Sequence, residues 1–254
     1  MRLQELFETT EEDRALISLS SAIYNRLQSY TDSHSNSIHV GKIQDMFDTP
    51  IIALNNISID IQAGDTFLRR LHDIPPSDVV SDKNKDTAVA FWDEDTDTVV
   101  INRDYLATNR IKTTITHELR HALDSVKSNK FPGDANRYFT PKKKEHRAHY
   151  YTADGSIDKN DARNLTPYRA QPAEINARFT EVLHALSDFV KLRKTTVAPH
   201  LLHPQLVQDF KALLNKFHIA YLFPEKAQSK DYKRLIKRGM DFIDKEISYL
   251  DSLS

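Results

Sequence analysis

The feature that most constrains this chain is the segment 113–126, TTITHELRHALDSV, which contains the pattern H-E-x-x-H. His117 and His121 are four residues apart, so on a helix their side chains lie one above the other on the same face. Two imidazoles in that arrangement can bind one metal ion, usually Zn²⁺, while Glu118 lies beside them as a base. The pattern therefore predicts a helix that carries a zinc site.

The residues around the motif predict a helix with three different faces. The apolar residues recur at helical spacing and form a face for the core: Ile111, Ile115, Leu119, Ala122 and Val126. The polar residues that follow the same spacing form a stripe predicted to face solvent: Lys112, Thr116, Arg120 and Lys127. The third face carries His117, His121 and Asp124. Such a helix suits a position between a core and a cleft.

Composition limits the classes of partner. The 254 residues are enough for one large domain, and 39% hydrophobic residues with 12 Phe support a substantial core. The 35 basic and 36 acidic residues give a net charge of −1, so no global charge favours nucleic acid or anionic membranes. The absence of cysteine excludes disulfides and a thiolate zinc site. We expect no nucleic acid and no membrane as partners, while the oligomeric state stays open.

The first residues also bear on the compartment. Segment 1–19 lacks the uninterrupted apolar stretch and the small-residue cleavage site of a signal peptide. No apolar run approaches the ~18 residues that a membrane helix needs. We therefore expect a soluble, cytoplasmic protein.

Elements before the motif predict an α+β fold. Residues 11–30 have the apolar spacing of an amphipathic helix, and residues 38–40 and 57–61 alternate with period two, as strands do. Residues 87–101 read as a hairpin around the acidic turn DEDTD. Its second strand, 98–102, leads into the motif helix, and we expect that strand to bind an extended substrate by edge pairing.

The remainder predicts one long polar loop followed by helices. Segment 128–171 is polar and irregular, whereas 173–193, 204–217 and 229–251 show helical spacing, with Pro204 at the start of the second of these helices. We expect a single domain over residues 1–254. It would comprise an N-terminal helix and strands (1–85), a core (86–193) and a helical C-terminal appendage (194–254).

A hydrolytic zinc site needs three protein ligands and one open position for water, so a third ligand is required. The extended motif of the metzincins would place Gly at position 124 and His at position 127, where this chain has Asp124 and Lys127. That class is excluded, which leaves a carboxylate on a later helix. Glu174 is the leading candidate because it lies in the first turn of a helix whose broad apolar face would hold a ligand rigidly.

Other interpretations of these residues stay open. Asp124 shares a face with the two histidines, but a residue farther along the same helix lies far from the metal, so we expect it to support the site instead. Glu174 could simply form an i,i+4 pair with Arg178. His149 is a further alternative for the third ligand.

Thr116–Asp124, THELRHALD, together with Tyr168 and the segment 172–178, PAEINAR, resembles the zincin-like metallopeptidase domains of bacteriophage and bacterial proteins. In these gluzincin-type domains a Y…P-x-E-I-x-A segment follows H-E-x-x-H and supplies the third ligand. The resemblance covers about residues 86–190. It implies a small mixed or antiparallel sheet, an active-site helix, and Zn²⁺ held by His117, His121 and Glu174, with extra helices at both ends of this chain.

The function implied is a zinc metallopeptidase that hydrolyses the peptide bonds of a protein or peptide substrate with Glu118 as general base. Tyr168 is the leading oxyanion donor because it closely precedes Glu174, with a packing role as its alternative. The alternative function is a structural or binding protein, for example a component of a phage particle, with vestigial or no catalysis. Phage origin would place the chain in the host cytoplasm or the virion.

Overall fold

The computed structural model describes residues 10–72, 88–108, 110–130, 172–223 and 230–252. Within these ranges the chain forms seven helices and one small mixed sheet of four strands, which confirms the α+β class. None of the helices in these ranges is long and apolar enough to cross a membrane.

Seven helices are numbered in chain order: α1 (Thr10–Leu27), α2 (Ile43–Met46), α3 (Gly64–His72), α4 (Arg110–Lys130), α5 (Pro172–Thr196), α6 (Pro199–Lys216) and α7 (Lys230–Ser252). The strands are β1 (Ser37–Lys42), β2 (Ser58–Gln62), β3 (Ala90–Asp93) and β4 (Thr98–Asn102). The helix predicted from Pro204 in fact begins at Pro199. Proline is preorganised for that first position, and Pro204 lies inside the helix.

The sheet has the order β1-β2-β4-β3. β2 and β4 are parallel neighbours in its centre, with Ile59 opposite Val99, while β1 and β3 are antiparallel edge strands. β4 is therefore an interior strand, and the prediction that residues 98–102 offer an edge to substrate is wrong. Both sides of β4 are occupied by β2 and β3, so among the described residues it is β3 that presents a free edge on this side of the sheet.

The register of β3 against β4 shows which backbone groups face that free edge. The Asn102 N–H donates to the Val89 carbonyl oxygen at 2.9 Å, so residues 89 and 102 form a hydrogen-bonded pair. Hydrogen-bonded and non-hydrogen-bonded pairs alternate along an antiparallel ladder. Ala90 and Trp92 belong to the non-hydrogen-bonded pairs, so their backbone N–H and C=O groups point away from β4.

The chain divides into two compact units. The sheet unit is Ala15–Glu174, and the helical unit is Met1–Arg14 together with Ile175–Ser254. The subdivision predicted at residues 85/86 and 193/194 stays a prediction.

The core of the sheet unit lies between α1, the sheet and α4. The predicted apolar face of α4 is confirmed, since Ile111, Ile115, Leu119 and Ala122 are completely buried and Val126 packs against the same cluster. The predicted solvent stripe is wrong at two positions, because Thr116 and Arg120 are also completely buried. The Arg120 guanidinium lies 3.7 Å from the Asp124 carboxylate, and a buried charge of this kind needs such a partner.

The helical unit is held by buried polar contacts as well as by apolar packing. The Arg238 guanidinium donates to the buried Asp13 carboxylate and, at 3.1 Å, to the Asn176 side-chain oxygen. It also lies over the ring of Phe179, 5.3 Å from its centroid. One turn of α7 therefore fixes residues from α1 and α5 at once.

Gly239 on α7 gives a sharp test of this packing. A methyl group at Gly239 would lie 2.1 Å from Cζ of the buried Phe210 ring. In an unconstrained helix Gly→Ala stabilises by about 1 kcal/mol, whereas overpacking costs about 1–3 kcal/mol. We expect Gly239→Ala to lower the free energy of unfolding in urea by about 1–2 kcal/mol.

The exposed Lys237 on the same helix supplies the control. Lys237→Ala should change the free energy of unfolding by less than about 0.5 kcal/mol. Phe210→Leu should recover part of the loss when combined with Gly239→Ala, because the smaller side chain makes room for the methyl group. A stabilising effect of Gly239→Ala would show that the packing of α6 on α7 is not as described.

Candidate metal centre

Helix α4 positions the three named residues of the H-E-x-x-H motif. Its apolar face packs on β3, β4 and the short helical turn Ile52–Leu54, so its rotation about its own axis is fixed by the core. His117 and Glu118 are largely buried and His121 is partly exposed. The motif side chains are therefore presented from a rigid element, as a binding site requires.

The fourth residue arrives from a different part of the chain. Glu174 is the last residue of the sheet unit, lies in the first turn of α5 and is 2% exposed. Pro172 occupies the first position of α5, where its fixed backbone angle favours helix formation. An acidic side chain in the first turn is favoured by the helix dipole, so this carboxylate suits its place locally as well.

Three ligand atoms converge. His117 Nε2 lies 3.0 Å from His121 Nε2 and 3.3 Å from Glu174 Oε1, and His121 Nε2 lies 3.5 Å from Glu174 Oε1. Nitrogen and oxygen ligands at about 2.0–2.1 Å around a tetrahedral Zn²⁺ would be separated from one another by about 3.3–3.4 Å. The three distances lie around that value, so His117, His121 and Glu174 could hold one metal ion as one face of a tetrahedron.

The charge state of Glu174 suits a ligand. Burial acts to raise the pKa of this carboxyl, but the His117 charge and the hydrogen bonds with His117 and His121 outweigh it. The pKa of Glu174 consequently lies well below its ordinary value. Metal binding requires a deprotonated carboxylate, and these neighbours keep Glu174 in that form.

The pKa of Glu118 is shifted in the opposite direction from that of Glu174. Burial raises the pKa of this carboxyl above its ordinary value, and the charges of His117 and His121 only partly offset the effect. The backbone N–H of Trp92 donates a hydrogen bond of 2.9 Å to Glu118 Oε2. Glu118 is thus held by the outward-facing edge of β3 beside the cluster, and a carboxyl with a raised pKa is suited to take up and release a proton.

The remaining predicted residues are placed differently. Asp124 is not part of the converging group and pairs with Arg120 on its own helix, so it supports α4. Tyr168 and His149 lie outside the described residues.

Sequence reasoning missed the Trp92 N–H as a site group. A motif of side chains cannot reveal a backbone hydrogen-bond donor. The Trp92 N–H points away from β4 only because β3 is an edge strand, and the strand order that makes it so is not written in the motif. The hairpin pattern of residues 87–101 was the available signal, since it located β3 close to α4 in sequence.

Comparisons of the chain with protein-family models, with curated proteins and with solved structures found no match. The case for a metal centre therefore depends on the residues and their geometry alone.

The third ligand can be tested by substitution. We expect Glu174→Ala to weaken zinc binding by more than about 100-fold, beyond the effect of losing a group that only orients a ligand. The measurement is competition with a chromophoric zinc chelator, performed on the full chain at neutral pH.

Asp124→Asn is the matched control. It removes a buried carboxylate from the same helix as the two histidines, so it should lower the stability of the fold but leave the zinc affinity within about tenfold of wild type. Unchanged zinc affinity in Glu174→Ala, or a large loss confined to Asp124→Asn, would assign the third ligand to another residue.

Proposed function

We propose that this chain is a zinc-dependent metallopeptidase with a zincin-like, gluzincin-type site. The observation that carries the proposal is the buried Glu118 carboxylate beside a cluster of three ligand atoms. Structural zinc sites are closed by four protein ligands, whereas hydrolytic sites have three and leave a position for water. Among the described residues the site has three candidate ligands and an adjacent carboxyl of raised pKa, which is the composition of a hydrolytic site.

In this proposal His117, His121 and Glu174 hold Zn²⁺. The ion would lower the pKa of a bound water towards about 7 and polarise the carbonyl of the substrate. Glu118 accepts a proton from the attacking water and delivers it to the leaving amine. Its raised pKa supports the second of these transfers, because burial favours the protonated form of the carboxyl that gives up the proton.

The free edge of β3 supports a peptide as the substrate. An extended peptide can pair with the outward backbone groups of an edge strand, which gives affinity that does not depend on side chains. Glu118 uses the Trp92 N–H, so the N–H and C=O of Ala90 and the C=O of Trp92 are the groups proposed to bind the peptide. This replaces β4 by β3 as the strand that binds substrate.

The alternative of a zincin-like structural or binding protein, such as a phage particle component, does not account for Glu118. A site that only holds its fold together has no need of a buried base. A phage or bacterial origin, a cytoplasmic location and the identity of the substrate stay predictions.

The role of Glu118 can be separated from metal binding. We expect Glu118→Gln to retain zinc by elemental analysis and to lower kcat/KM by about 10²–10⁴-fold on a mixture of quenched fluorescent peptides, because the amide cannot accept the proton. Glu94→Gln is the control, since Glu94 bonds to Ser125 at 3.0 Å and is not part of the ligand cluster. If wild type and Glu118→Gln both bind zinc and neither cleaves the peptides, the structural alternative is favoured.

The role of β3 can be tested at Ala90. Proline is tolerated at the first residue of an edge strand, so Ala90→Pro removes an outward N–H without removing a bond to β4. We expect KM to rise roughly 2–12-fold, as for the loss of one hydrogen bond, with kcat little changed. Ala90→Gly retains the N–H and should keep the wild-type KM. If Ala90→Pro has the same KM and kcat as wild type, the peptide does not pair with the Ala90 N–H.

A further inference from the structure

The net charge of −1 conceals a strongly basic segment. Residues 210–240 contain eight Lys and Arg residues and two acidic residues. The segment runs from the second half of α6 into the first half of α7, within the helical unit. Charge asymmetry of this kind points to a polyanionic partner, which the average over the whole chain does not reveal.

The two helices bring the described lysines of this segment to one end of their pair. His203 of α6 pairs with Asp244 of α7 at 3.1 Å, and Phe210 lies against Gly239, so α6 and α7 are antiparallel neighbours. The same alignment places the C-terminal end of α6 beside the N-terminal half of α7. We name this region the basic end of the α6–α7 pair.

Four lysines of the basic end are exposed: Lys211, Lys216, Lys233 and Lys237. Lys233 and Lys237 are four residues apart and share a face of α7. Among the described residues no acidic side chain forms an ion pair with any of the four. Their charges are therefore not neutralised by the part of the chain that the structure describes.

Aromatic residues are interspersed with these lysines along the chain. Phe217, Phe223 and Tyr232 are each partly exposed, and the rings of Phe223 and Tyr232 lie 5.5 Å apart, centroid to centroid. The Lys216 ammonium lies 5.8 Å from the centroid of the Phe217 ring. Basic side chains interleaved with accessible rings are the combination by which proteins bind unpaired bases and their phosphates.

We propose that the basic end of the α6–α7 pair binds single-stranded nucleic acid, a function separate from the proposed peptidase site. The lysines contact phosphates, and the partly exposed rings stack on bases, which are accessible only when they are unpaired. A membrane surface fits less well, because the apolar face of α7 is already used in packing: Leu235, Phe242 and Ile243 are completely buried.

The test uses the full chain and fluorescence anisotropy with a labelled oligothymidylate of about 20 nucleotides at about 100 mM salt. A duplex of the same length and vesicles that contain anionic phosphatidylserine are measured alongside. We expect the single strand to bind more tightly than the duplex, with no binding to vesicles. Glu118→Gln should bind the oligonucleotide as wild type does, so this result stands whether or not the chain is a peptidase.

Charge reversal tests the lysines. Lys233→Glu combined with Lys237→Glu should weaken oligonucleotide binding at least about tenfold. The plot of log K against log salt should also become shallower by about 1.4, since each phosphate contact contributes about 0.7 to the magnitude of its slope. The control is Lys42→Glu with Lys191→Glu, which makes the same change of net charge at two exposed positions outside the basic end. The control pair should retain most of the affinity.

Ring removal tests stacking. We expect Tyr232→Ala to weaken oligonucleotide binding by about fivefold to a hundredfold, and Tyr232→Phe to retain it. Circular dichroism verifies that each variant is folded, and Phe223→Ala replaces Tyr232→Ala should the latter unfold. No binding by wild type, equal losses in the two charge-reversal pairs, or stronger binding to duplex or vesicles than to the single strand would overturn the proposal.

Discussion

The burial of one face of α4 is the constraint on which the site depends. Ile111, Ile115 and Leu119 have no exposed surface, and side chains of this size contribute about 1.5–3 kcal/mol each when buried. Their packing fixes the rotation of the helix, and helical geometry then directs His117 and His121 to a different face. A change in the core of the sheet unit would therefore disturb the candidate metal centre without altering any of its three side chains.

The surroundings of Glu118 and Glu174 shift the pKa values of these two carboxyl groups in opposite directions. Glu174 lies among hydrogen-bond donors from both imidazoles, and its pKa falls, whereas the pKa of Glu118 rises because burial outweighs the same histidines. Divergent environments of this kind separate a permanently ionised group from one that exchanges a proton. The geometry thus supports one carboxylate as a ligand and the other as a base.

Features determined by local sequence could be predicted, and features determined by long-range arrangement could not. The spacing of His117 and His121 and the first-turn position of Glu174 are local, and the structure brings all three together. The interior position of β4 depends on its pairing with β2, which hairpin patterns do not encode. Helical periodicity assigns Arg120 to the solvent face because it treats every charged residue as exposed, whereas Asp124 pairs with Arg120 inside the protein.

The central claim is that His117, His121 and Glu174 bind one zinc ion. Anomalous diffraction from crystals of the zinc-loaded protein, recorded on both sides of the zinc absorption edge, tests it most directly. We expect a single strong peak about 2.0–2.2 Å from His117 Nε2, His121 Nε2 and a Glu174 carboxylate oxygen. A peak bound by other residues, or no peak at this cluster in zinc-saturated crystals, would contradict it.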